Sequence, residues 1–180
     1  MNTKSILAGL LLFSASATAY SPYTAGNQTY IGYARGYYQL DATQHSHSTI
    51  HAISEKDWGN KYFAGVRLGD NFAVEGFHYD FGTLHDARHQ AARTKTSGVT
   101  SIMHIPLGNN LSVFGKLGVH QWDMRISSRR TIEKSEGADV LFGAGVAMQL
   151  GAFGLRLEHE KFEFDKNDIG VTSLGAAIYF

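Results

Sequence analysis

The stretch "GVTSLGAAIYF" (residues 170–180) decides the fold. Read alternately, Leu174, Ala176, Ile178 and Phe180 fall on one face, and Ser173, Gly175, Ala177 and Tyr179 on the other. A period of two is that of a β-strand. Soluble domains usually finish in a polar, frayed tail. Here one face stays apolar through Phe180, as expected of a strand that ends at a boundary with lipid.

The same alternation recurs upstream. In "DVLFGAGVAMQL" (139–150), Val140, Phe142, Ala144, Val146, Met148 and Leu150 oppose Gly143, Gly145, Ala147 and Gln149. In "AFGLRLEHE" (152–160), Phe153, Leu155 and Leu157 oppose Arg156, Glu158 and Glu160. In "LSVFGKLGVH" (111–120), Leu111, Val113, Leu117 and Val119 oppose Ser112, Lys116 and His120. Each strand has a face suited to lipid and a polar or small face, the pattern of a barrel that is apolar outside.

Eight such segments are expected, at 29–40, 60–69, 71–82, 94–106, 110–122, 138–150, 152–163 and 170–180. Tight turns join them around Asp70, at "PLGNN" (106–110) and at "LGA" (150–152), with Gly or Asn to accept positive φ. The alternate connections, 41–59, 83–93, 123–137 and 164–169, are longer and polar. Short turns at one rim and long loops at the other describe an all-β, eight-stranded antiparallel up-and-down transmembrane β-barrel. A tilted membrane strand needs about 9–11 residues, whereas soluble strands usually run about 5–6, which weighs against a periplasmic β-sandwich. In "FAVEGFHYDFG" (72–82) the parity breaks between Val74 and Phe77. A bulge near Glu75–Gly76 would bring Phe77, Tyr79 and Phe81 to the lipid face with Phe72 and Val74.

Composition bounds the rest. Nine Tyr, 11 Phe and 20 Gly beside two Pro suit strands and turns. Lys4, the apolar run "ILAGLLLF" and the small-x-small pair Ala17 and Ala19 read as an export signal over residues 1–19, with cleavage before Tyr20. Eight apolar residues span about 12 Å as a helix, too short for a bilayer. Residues 20–180 then form the barrel. Losing Lys4 leaves 15 basic against 16 acidic residues, a charge near −1 that points to no nucleic-acid partner. There is no cysteine, so neither a disulfide nor a lipidated thiol is expected.

Several of these stretches resemble the OmpA-like transmembrane barrel family of Gram-negative outer membranes. "YIGYARGYYQLD" (30–41) is similar to its first strand and "VEGFHYDFG" (74–82) to its third. "FGAGVAMQL" (142–150) with "LRLEHEKF" (155–162) resembles the sixth and seventh, and "SLGAAIYF" (173–180) the terminal strand. The resemblance implies that Leu174, Ala176, Ile178 and Phe180 form the signal read by the barrel assembly machinery. Family members usually carry an aromatic two residues before the end, where this chain has Ile178. It also implies an internal ionic network in which Glu75, Lys116 and Arg156 match the family's positions, while the acidic position on the sixth strand is Ala147.

The inside of an eight-stranded barrel is just wide enough for side chains to fill, so inward charges must pair. Lys116, Arg156 and Glu158, with Glu75 if the third strand is bulged, are the expected interior network, either a satisfied structural one or the gate of a narrow channel for small solutes or ions. "HSHSTIH" sets His45, His47 and His51 in the first long loop, and His85 and His89 follow in the second. Imidazoles bind metals, yet this spacing matches no standard zinc pattern, and no metal or other cofactor is expected. Arg88, Arg93 and Lys95, then Arg125, Arg129, Arg130 and Lys134, make two outer connections basic despite Asp86, Asp123, Glu133 and Glu136. They would face anionic lipopolysaccharide or another surface ligand. Ser127, Ser128, His159 and Glu160 could in principle serve a lipid A-modifying enzyme, but no strand carries a convergent nucleophile and base, so no catalytic residue is assigned. The expectation is a monomer in the outer membrane with a structural or surface-interaction role, since closure leaves no free sheet edge.

Overall fold

The computed structural model describes residues 28–41, 56–85, 91–127, 132–164 and 167–180. Eight antiparallel strands close on themselves in sequence order. They are β1 (Gln28–Asp41), β2 (Lys56–Leu68), β3 (Phe72–His85), β4 (Ala91–Pro106), β5 (Leu111–Ser127), β6 (Ile132–Leu150), β7 (Phe153–Phe164) and β8 (Asn167–Tyr179). Tight turns at 69–71, 107–110 and 151–152 link β2–β3, β4–β5 and β6–β7. Gly69 (φ 69°) and Gly151 (φ 64°) take the left-handed conformation two of these turns require.

The seam between β1 and β8 is sealed to its last residue. Thr29 N–H donates to the Phe180 carbonyl at 3.0 Å, and Phe180 N–H returns a bond to the Thr29 carbonyl at 2.9 Å. From Arg35, the paired residues through β2, β3, β4 and β5 lead to Glu136 on β6. Through β8 and β7 they lead instead to Val146, ten residues further along the same strand. That stagger tilts the strands and fixes the bore.

The faces divide as the late strands foretell. Leu155, Leu157, Leu174, Ile178, Leu117, Val119, Phe142 and Val146 point outward and are exposed, and Arg156, Glu158, Lys116 and Ser173 are buried inside. Val74 also faces out. The third strand differs from the expectation. Pairing runs regularly through Gly76 on both sides, opposite Ala64 and Val99, so no bulge lies there. Phe77, Tyr79 and Phe81 therefore keep the parity of Glu75 and point into the barrel, where all three are buried. The register shift of β3 comes later, between Asp80 and Thr83, where Gly82 sits at φ 79°.

The outer connections are also shorter than the sequence suggests. β5 and β6 run 17 and 19 residues, well past what a bilayer crossing needs. Arg93, Arg125, Lys134, Asp123, Glu133 and Glu136 thus have strand backbones instead of loop ones. Arg88, Arg129 and Arg130 lie outside the described residues, as do His45, His47, His51, His89 and Ser128.

A belt facing hydrocarbon tolerates charge according to depth, at about 2–4 kcal/mol for an arginine near the midplane and about 0–1 near an interface. Leu157→Arg, within the belt, is expected to lower the unfolding free energy in lipid vesicles by about 2–4 kcal/mol. Leu150→Arg, beside the β6–β7 turn, should cost about 1 kcal/mol or less. Equal losses in urea titrations would contradict this placement of the belt.

Candidate functional site

Six charged side chains meet inside the barrel. Lys61 comes from β2, Glu75 from β3, Lys116 from β5, and Arg156, Glu158 and Glu160 from β7, and every one is buried. The positive and negative members balance. Arg156 grips Glu75 with both terminal nitrogens, Nη1 to Oε2 at 2.6 Å and Nη2 to Oε1 at 3.1 Å, and its Nη2 also reaches Glu158 at 3.3 Å. Lys61 Nζ lies 2.7 Å from both Glu160 oxygens and 2.9 Å from Glu158. Lys116 Nζ lies 2.5 Å from Glu158 and 3.1 Å from Glu160.

Neutral groups complete the carboxylates. Tyr30 Oη donates to Glu75 at 3.0 Å and Ser173 Oγ to Glu158 at 3.2 Å. Aromatic faces back the cations, most closely Phe63, whose ring centre is 3.5 Å from the Arg156 guanidinium carbon. Buried charge is tolerated only when paired and hydrogen-bonded, and here that condition is met at both carboxylates of the pair Glu75 and Glu158.

Nearer the outer rim an aromatic layer crosses the bore. Tyr79 stacks on Phe81 with centroids 4.4 Å apart, and Phe162 packs edge-on against both. Tyr38 meets Phe81 edge-on and donates to its carbonyl at 2.7 Å. Tyr79 can lie across the barrel because Gly36 and Gly59 stand opposite, where a Cβ would collide with its ring or hydroxyl. Its buried hydroxyl has no partner among the described residues.

All four expected interior charges, Glu75, Lys116, Arg156 and Glu158, thus come together. Glu75 does so without the supposed bulge. Ala147 holds no charge, but it sits opposite Arg156 on β6, and Glu158 and Glu160 on β7 supply the carboxylates. Lys61 and Glu160 are the members the sequence reading missed. Glu160 shares the parity of Arg156 and Glu158, so its charge called for another cation, and Lys61 alternates with Phe63 on the inward face of β2.

Of the other candidates, His159 and Glu160 are described, and they do not converge. His159 faces outward, its Nδ1 2.9 Å from Thr172 Oγ1, while Glu160 next to it faces inward. Among the described residues no group of three or more His, Cys, Asp or Glu is arranged to hold a metal ion.

A closed eight-strand wall with an apolar exterior and a paired ionic interior defines a small transmembrane barrel. The chain belongs to the family described as the outer membrane protein beta-barrel domain, whose model matches residues 5–180, and this places it in the outer membrane. It is similar in structure to Ail, the attachment invasion locus protein of Yersinia pestis, in complex with the heparin analogue sucrose octasulfate. That match has a TM-score of 0.66 at 16% identity over 86% of this chain and 99% of that one. Neisserial surface protein A matches with a TM-score of 0.65 at 12% identity over 84% and 97%. OprG of Pseudomonas aeruginosa matches with 0.56 at 14% identity over 87% and 96%. At these identities the likeness is one of fold. No curated protein sequence matches the chain significantly.

Removing one partner of a buried ion pair costs about 3–5 kcal/mol, because the other charge is stranded. Lys61→Met is expected to destabilise the refolded barrel by about that amount, and adding Glu160→Gln should restore most of it. Denaturant titrations of both variants check this, and additive losses would mean the two residues do not act as a pair.

Proposed function

We propose that this protein is a non-enzymatic surface-interaction barrel that presents its outer hairpins to anionic glycans. The observation that carries the reading is a row in the β-ladder. Arg93 stands directly opposite Arg125, and Arg125 directly opposite Lys134. Like charges set opposite each other across strands are destabilising. A row of three becomes favourable when a polyanion bridges it. The row lies on the strand extensions beyond the apolar belt, where lipopolysaccharide or a neighbouring cell's glycans would meet it. In sequence, Arg88, Arg129 and Arg130 fall in the same two connections. Ail in complex with a heparin analogue offers a parallel for such contact on this fold.

The occupied interior supports a structural and adhesive role over a narrow channel. An ionic layer and a layer of stacked rings occupy the bore of an eight-stranded barrel, which is just wide enough for side chains to fill. Export by the signal over residues 1–19, recognition of the Leu174, Ala176, Ile178 and Phe180 face by the barrel assembly machinery, and a monomeric state complete the reading.

Two measurements test it. Refolded protein on immobilised heparin should elute at clearly lower salt after Arg93→Gln, Arg125→Gln and Lys134→Gln are combined, and unchanged elution would defeat the glycan reading. In a planar bilayer the inserted barrel should be electrically silent. Discrete steps that change with Glu75→Gln would instead make the interior a conducting path.

A further inference from the structure

On β3, β4, β5, β7 and β8 the outward face changes from apolar to polar towards the outer rim. Leu174 gives way to Thr172, Leu157 to His159, Val99 to Ser97, Val119 to Gln121 and Val74, past Gly76, to His78. This ring marks where hydrocarbon ends and headgroups begin. On β1 and β2 it passes through the paired residues Arg35 and Asn60.

That sector differs from the rest of the ring. Arg35 and Asn60 are bracketed by two aromatic cross-strand pairs, Tyr33 with Tyr62 and Tyr37 with Trp58. The ring centroids are 5.4 Å apart in the first pair and 5.5 Å in the second. Tyr33 Oη donates to Asn60 Oδ1 at 2.6 Å, which fixes the amide so that its nitrogen stays available. The Arg35 guanidinium carbon lies 5.1 Å from the Trp58 ring centre.

Charge pairing sets Arg35 apart as well. Lys95 and Lys161, the other outward cations near this level, sit 3.2 Å from Asp80 and 2.6 Å from Asp168. Among the described residues no carboxylate lies within ion-pair distance of Arg35. Asp80, two strands away, is already engaged by Lys95 and by the Gly82 N–H at 2.9 Å.

We infer that this sector is a binding site for the phosphorylated saccharide headgroup of an outer-leaflet glycolipid. A guanidinium offers a fork of donors that matches a phosphate. The Asn60 amide supplies a further donor, and flat aromatic surfaces receive the apolar faces of sugar rings. Acyl chains would then run down over Ile31, Ala64 and Ala176 into the belt. The inference rests on the outer-membrane orientation used above, but not on the Arg93, Arg125 and Lys134 row.

Tryptophan fluorescence reads the site. The chain's two tryptophans are Trp58, exposed within it, and Trp122, buried inside the barrel. Trp122→Phe therefore leaves Trp58 as the reporter, with folding verified for each variant by the heat-shifted gel band. Phosphatidylcholine nanodiscs doped with diphosphoryl lipid A should shift the Trp58 emission saturably. Nanodiscs doped with dephosphorylated lipid A or phosphatidylglycerol should not. Arg35→Gln should raise the half-saturating lipid fraction roughly tenfold, as loss of a charged hydrogen bond implies, and Arg35→Lys should fall between. An equal response to phosphatidylglycerol, an unchanged Arg35→Gln, or a shift that tracks a second protein copy per disc would each overturn the site. The Arg93, Arg125 and Lys134 triple variant should respond like its parent, so the two readings fail separately.

Discussion

Hydrocarbon offers no partner to a backbone amide, so each one in the apolar belt must bond to a neighbouring strand. The seam between β1 and β8 completes that requirement, and much of the structure follows from it. Closing eight strands with a stagger of ten residues fixes a bore that side chains can fill. Whatever points inward must then be packed and paired. The ionic layer and the aromatic layer above it are two solutions to one problem of space without solvent.

The two layers solve it by different means. Charges near the middle of the belt are held by each other and by Tyr30 and Ser173. Rings nearer the outer rim fill the bore by shape, with Gly36 and Gly59 yielding room to Tyr79. Outside, the same strands carry mainly aliphatic side chains, with two aromatic cross-strand pairs on β1 and β2 and single phenylalanines such as Phe142 and Phe153 elsewhere. The exterior is therefore not uniform around its circumference, and the sector with the paired rings contains Arg35, which has no carboxylate within ion-pair distance among the described residues.

Much of this was legible in the chain. The alternation in β5 to β8 is clean because outward positions are aliphatic and inward ones charged or small. It misled in β3, where inward positions are also aromatic. Phe77, Tyr79 and Phe81 look like lipid-facing residues until Gly36 and Gly59 are seen to make space for them. Lys61 escaped because its strand interleaves it with Tyr62 and Phe63, one outward and one inward, and hydrophobicity alone cannot tell those two apart. The outer ends were misjudged for another reason. Strands β5 and β6 leave the membrane as a polar hairpin, and polar sequence reads as loop when only lipid-facing residues are sought. The arrangement of Arg35 over Trp58 depends on cross-strand register, which no single strand contains.

The bonds within the ionic layer run across the bore, from β2 and β3 to β7 and from β5 to β7. Ladder bonds alone resist sliding of neighbouring strands but allow the cylinder to flatten into an ellipse, as a hoop does. Struts spanning the hoop oppose that deformation. Lys61, Glu75, Lys116, Arg156, Glu158 and Glu160 thus act as cross-bracing, and the outer hairpins rise from a frame whose cross-section is held round. Their spacing is then a property of the barrel wall, set before any ligand arrives.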